Sequence, residues 1–141
     1  KTYLYRIYNG ATPTALYRRS VWQVYGPLDT VAMRAAAAHL LGRHDFTSFC
    51  TVHTDAVSFT REIYRLEISA VACDPGLFLE IEVEADGFLR YMVRTIVGTL
   101  VEIGRGKRPA AEMGEILRGR NRDRAGMTAP PQGLFLKEVR Y

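Results

Sequence analysis

Arg94 lies inside the run GFLRYMVRTIVGTLVEIGRG, residues 87–106. Met92, Val93, Ile96, Val97, Leu100 and Val101 recur there at the i, i+3, i+4, i+7 spacing of a broad apolar helix face. Val97 and Val101 stand nearly in line with Arg94, so its guanidinium projects from the edge of that face. The group cannot lose its proton and is expensive to bury without a partner. Either it reaches water along its aliphatic stem, or it holds an anion as part of a functional site. Arg90 is expected one helical turn earlier.

Other cations could meet phosphate. Arg18 and Arg19 adjoin in one segment, and RGRNRDR carries Arg118, Arg120, Arg122 and Arg124. Each group is either solvated charge or a contact to a nucleic-acid backbone. Glu80, Glu82 and Glu84 alternate along one strand face, which suits a solvated surface better than the paired carboxylates of a hydrolase. His39, His44 and His53 are scattered, and neither Cys50 nor Cys73 lies at zinc-ligand spacing. GRG at 104–106 follows a helix instead of preceding one, so it is no phosphate-binding loop. A nucleophile elbow is absent too.

The elements that must position these groups follow from pattern. TYLYRIY, residues 2–8, is rich in β-formers, with Tyr3, Tyr5 and Ile7 on one face and Leu4, Arg6 and Tyr8 on the other. A loop follows, through Arg18, Arg19 and Trp22. Asp29 is placed to cap a helix over 30–41 that Gly42 would stop. HDFTSF, residues 44–49, has no periodicity and reads as a shaped loop, as does the stretch to Thr60. Strands over 61–73 and 77–85 flank the turn signal Asp74-Pro75-Gly76 and predict an antiparallel hairpin. The long helix comes next, with Gly98 inside it expected to admit a close neighbour and bury the helix against a sheet. Pro109 is placed to open a shorter helix through Leu117. A loop, TAPPQG, precedes a last strand over 134–141.

That order, β-α-β-β-α-(α)-β, predicts an α+β fold. Its arrangement is the ferredoxin-like α-β plait, an antiparallel sheet with helices on one face. The 141 residues suffice for one domain with a real core, and 48% are hydrophobic. No run is long enough to span a bilayer and no signal-peptide pattern opens the chain, so the cytoplasm is expected. A net charge of +4 permits nucleic-acid binding without requiring it. The glutamates on the third strand argue against free single-strand binding on that sheet face, where phosphate would be repelled. The chain begins at Lys1 within a strand-like run, and a preceding N-terminal portion is expected.

YLYRIYN, GRHDFTSF, GFLRYMVRTIVGTLVEIGRG and TAPPQGLFLKEVRY together resemble the tRNA pseudouridine synthases of the TruA type. The resemblance spans nearly the whole chain and corresponds to the C-terminal half of such an enzyme. It implies isomerisation of uridine to pseudouridine in the anticodon arm of tRNA, without cofactor or metal, by a homodimer of the full protein. The catalytic Asp of the family sits in an RTD-type segment of the N-terminal half, and no RTDxG segment occurs here. None of Asp29, Asp45, Asp55, Asp74, Asp86 and Asp123 has that context. Asp45, in the most polar-aromatic loop, is the first to test if the chain alone proves active.

The resemblance gives Arg94 the role of partner to that missing Asp. It makes Tyr3 the ring that stacks on the target uracil, although on pattern alone Tyr3 reads first as an aromatic facing the sheet core. Leu134 would line the uracil pocket. Arg18, Arg19, Arg118, Arg120, Arg122 and Arg124 are candidate phosphate contacts. A second class of function is open: a non-catalytic RNA-binding or assembly module.

Overall fold

The computed structural model describes residues 1–12, 19–51, 56–73 and 76–139. Strand β1, Thr2–Asn9, lies at the centre of a six-stranded sheet. Its alternation works as expected. Tyr5 and Ile7 are fully buried under the helices, while Tyr8 packs with Val21 and Phe78 on the opposite face. Along one edge β1 pairs antiparallel with β5, Gly76–Ala85, from Thr2↔Glu84 to Asn9↔Leu77. Its other edge is shared. Strand β2, Trp22–Val24, runs parallel to Ile7–Asn9, and β6, Leu134–Glu138, runs antiparallel beside Thr2–Tyr5. Beyond β5 come β4, Thr60–Cys73, and β3, Gly42–Asp45.

Helix α1, Thr30–Ala38, helix α2, Met92–Gly104, and helix α3, Glu112–Gly119, contribute to one core with the inward face of the sheet. The fold is therefore the α+β plait. None of these helices is long and apolar enough to cross a membrane, a statement that covers the described residues.

Several boundaries differ from those read in the sequence. Trp22–Val24 is a strand where a loop was expected, because three residues are too few to show a period. Arg19 sits exposed in the turn before it, and Arg18 lies outside the described residues. Asp29 caps α1 as expected, its carboxylate accepting the Ala32 amide at 3.0 Å. The helix nevertheless ends at Ala38. Gly42, at φ +94°, opens β3, where pairing with Ile63 of β4 claims the backbone. HDFTSF is not a surface loop: Phe46 and Phe49 are fully buried, the latter on a 3-10 turn at Thr47–Phe49. Arg90 is off the helix, because α2 begins only at Met92. Helix α3 starts at Glu112, three residues after Pro109, and it contains Arg118. β4 and β5 form the expected hairpin, whose turn residues Asp74 and Pro75 lie outside the described residues.

On the outer face the three glutamates are not simply solvated. Arg6 lies 3.5 Å from Glu80, and Arg65 contacts Glu82 and, at 3.5 Å, Glu84. Lys137 reaches Glu82 at 2.5 Å. These pairs are partly exposed, so each contributes little to stability.

Gly98 does admit a close neighbour, but the neighbour is not a sheet. It is the loop before β6: a Cβ at position 98 would overlap the Met127 carbonyl oxygen. Gly98→Ala must push that loop off α2, and overpacking of this kind costs about 1–3 kcal/mol. Urea unfolding of the variant against the parent is expected to show a loss of that order, with an unchanged m-value.

Candidate active site

Where β1, β6 and the start of α2 meet, a cavity of about 450 Å³ opens, lined by Tyr3, Phe88, Arg90, Tyr91, Arg94 and Leu134 among others. Strand pairing brings two of these together. Tyr5↔Leu134 is the register between β1 and β6, which places Tyr3 and Leu134 on neighbouring strands. Tyr3 is half-buried at the margin of the core, and Phe88 meets its ring edge-on with centroids 4.9 Å apart.

The first turn of α2 supplies the charge. Tyr91 precedes it at φ 64°, ψ 9°, a left-handed conformation that is strained for a bulky aromatic residue. The Tyr91 ring meets two cations, with the Arg90 guanidinium 5.2 Å and the Arg94 guanidinium 4.9 Å from its centroid.

Arg94 is anchored by the loop before β6. Its Nε donates to the Ala129 carbonyl at 2.7 Å, and the Ala129 amide donates back to the Arg94 carbonyl at 2.9 Å. That loop is itself fastened at several points. The Tyr5 hydroxyl donates to the Pro130 carbonyl at 2.5 Å, and Arg122 donates to the Thr128 hydroxyl at 3.0 Å. Thr99 Oγ1 accepts the Gly126 amide at 2.9 Å and Glu102 the Met127 amide at 3.0 Å. Burial pushes the Tyr5 phenol well above its ordinary range, against the opposing pull of Arg94, so it stays a proton donor.

One edge of Arg94 is thus committed. Its two terminal nitrogens make no hydrogen bond to a described residue, and no described carboxylate lies within ion-pair distance. The acidic partner expected from the sequence is absent from the described residues. A half-buried guanidinium with a free fork binds an anion in a fixed orientation. The adjoining rings and Leu134 offer an apolar wall to a planar heterocycle. Among the described residues of the lining there is no carboxylate, thiol or imidazole, so none of them can serve as an anionic catalyst. Among the described residues no group of three His, Cys, Asp or Glu could hold a metal ion.

The other candidates lie elsewhere. Arg118 and Arg124 are exposed, and Arg122 is half-buried as part of the brace on Thr128. Arg120, at φ 48°, stands 3.8 Å from Asp45. Tyr5 and Tyr91 were not singled out from the sequence. Tyr5 looks like any inward aromatic, and nothing local marks Tyr91 for a positive φ.

Asp45 is occupied structurally. Its Oδ1 accepts the Thr47 amide at 2.9 Å and the Thr47 hydroxyl. Burial raises its pKa, but the two bonds from Thr47 and the charge of Arg120 outweigh burial, and the carboxyl sits below its ordinary value of 3.8. A carboxyl depressed on folding contributes stability above its unfolded pKa and loses it as pH falls through the folded one. Asp45→Asn is therefore expected to flatten the acid limb of the stability–pH curve below pH 3.8. Urea unfolding repeated across that range measures it, and parallel curves for parent and variant would contradict the assignment.

Comparison with known proteins bears on the same region. The profile of the family described as tRNA pseudouridine synthase matches residues 36–141. The protein named tRNA pseudouridine synthase A of Myxococcus xanthus is 49% identical over 141 residues, covering all of this chain and 52% of that protein. Those of the same name from Moorella thermoacetica and Syntrophotalea carbinolica are each 45% identical, with 56% and 54% of their lengths covered. The chain spans about half the length of the curated relatives it matches. A matched family profile over most of its residues, carried on an α+β plait, places the chain in the tRNA pseudouridine synthase family, of the TruA type.

Proposed function

We propose that this protein isomerises uridine to pseudouridine in the anticodon arm of tRNA, and that the chain forms one wall of the cleft where this happens. The observation that carries the reading is the free fork of Arg94 at the edge of an aromatic-lined cavity. A segment outside the 141 residues supplies the catalytic Asp. Arg94 keeps that carboxylate ionised and oriented, because a permanent cation in contact favours the charged form. Tyr3 stacks on the flipped uracil, and Leu134 covers the pocket and helps exclude water. The N1–C1′ bond breaks, the uracil turns, and C5 bonds to C1′. C5 gives up its proton and N1 acquires one, so the step is redox-neutral and needs no cofactor or metal. Arg19, Arg118, Arg120, Arg122 and Arg124 are proposed to meet tRNA phosphates, together with Arg18. The full-length protein is proposed to act in the cytoplasm as a homodimer.

The test is kinetic. In the full-length enzyme Arg94→Ala should lower turnover by about 10²–10³-fold, with tRNA affinity largely kept. Arg94→Lys should rescue poorly, since a point charge does not replace a planar fork. Near-normal turnover in Arg94→Ala rules the role out.

Residues 1–141 alone should form no pseudouridine in unmodified tRNA, because no RTDxG segment occurs in them and no described residue lining their cavity is an anionic catalyst. Turnover that survives removal of full-length contaminant would place a catalytic carboxylate within this chain. Charge reversal at Arg120 and Arg122 should weaken tRNA binding and lower its salt slope by about one unit per lost contact. An unchanged slope would leave Arg120 as the partner of Asp45 and Arg122 as the brace on Thr128, with no phosphate contact.

A further inference from the structure

A second cavity, about 310 Å³, lies beside the first. Phe59 and the buried Cys50 supply its apolar lining, while Arg120, Asn121, Arg122 and Asp123 supply its polar one. Two contacts tie it to the aromatic cavity. The Thr51 amide, in the second cavity, donates to the carbonyl of Arg90, in the first, at 3.3 Å. Arg122 donates to Thr128, the neighbour of the Ala129 carbonyl that anchors Arg94. The linings of the two hollows are thus joined directly through Thr51 and Arg90, and indirectly through the braced loop.

The chemistry of this lining is specific. Phe59 presents an aromatic surface, and two guanidinium groups stand beside it. The Asn121 side-chain oxygen is taken by the Asp123 amide at 3.0 Å, which leaves its amide nitrogen with no described hydrogen-bond partner. Asp123 makes no ion pair with a described residue, although three arginines surround it in sequence. One donor and one acceptor are therefore uncommitted next to an apolar floor and a cationic edge. That set recognises a nucleotide: the ring face on the phenyl, the base edge on Asn121 and Asp123, the phosphate on arginine.

We propose that this cavity is a subsite for a nucleotide adjacent to the target uridine. The proposal rests on the reading that the aromatic cavity receives a flipped uridine. Turning one base out of a loop strips its neighbour of a stacking partner, and a second aromatic subsite beside the first offsets that loss.

The experiment uses the full-length protein and tRNA transcripts carrying a single abasic nucleotide at successive positions of the anticodon arm. Binding is followed by fluorescence anisotropy for the parent, Phe59→Leu and Arg120→Gln. For the parent, one abasic position besides the uridine itself should cost about tenfold in affinity. Phe59→Leu should lose a similar factor on intact tRNA and nothing further on that abasic transcript. Arg120→Gln, at an exposed side chain, should weaken intact and abasic RNA alike and lower the salt slope by about one unit.

The proposal is overturned if the parent binds every neighbouring abasic transcript as well as intact tRNA, or if the Phe59→Leu and abasic losses multiply. Should Phe59→Leu fail to fold, the abasic series on the parent together with the Arg120→Gln slope decides. Pseudouridine formation by the parent on intact tRNA is assayed separately. Its absence would sink the isomerase reading, while the binding cycle still decides the subsite.

Discussion

The geometry of the site depends on a reciprocal pair of hydrogen bonds. Arg94 donates its Nε to Ala129 and accepts the Ala129 amide on its own carbonyl. One residue of α2 is thereby joined at two points to a loop more than thirty positions away. The pair can form only because Gly98, one turn along the helix, has no side chain to hold the loop off. The buried Tyr5 hydroxyl then fixes the next carbonyl, Pro130. A guanidinium held along one edge loses little further freedom on meeting an anion, which is what a preorganised electrostatic site requires.

Placement of the aromatic groups follows from the sheet. Among the described residues β1 is the one strand with three partners, and β6 on its shared edge brings Leu134 beside Tyr3. Position 91 adds a local distortion. A tyrosine in the left-handed region is unfavourable, and the two flanking guanidinium groups on its ring help offset that strain. Strain of this kind, at the mouth of a cavity, accords with a functional site more than with a structural one.

Much of this was legible before any coordinates. The apolar spacing of α2, the alternation of β1 and β5, and the cap at Asp29 are strong local signals, and the structure has them. Short elements were not legible. β2 has three residues and β3 four, and both exist because a neighbouring strand offers hydrogen bonds. Phe46 and Phe49 looked like loop residues for the same reason. Arg94 was recognisable as an ill-placed cation, but not its carbonyl partner, since that bond depends on how the chain closes. The sign of φ at Tyr91 is likewise a tertiary outcome, imposed on a residue whose type argues against it.

The pairing of β1 with β6 has a consequence for biosynthesis. Tyr3 on β1 and Leu134 on β6 lie far apart in sequence, so the cavity is closed by contacts of large sequence separation. Such contacts carry the largest loop-closure entropy and form late in folding. A ribosome paused anywhere before β6 therefore displays a hairpin and helices with no complete cavity. The shape of this cavity arrives only with β6, and partial translation products that stop short of it have no such pocket.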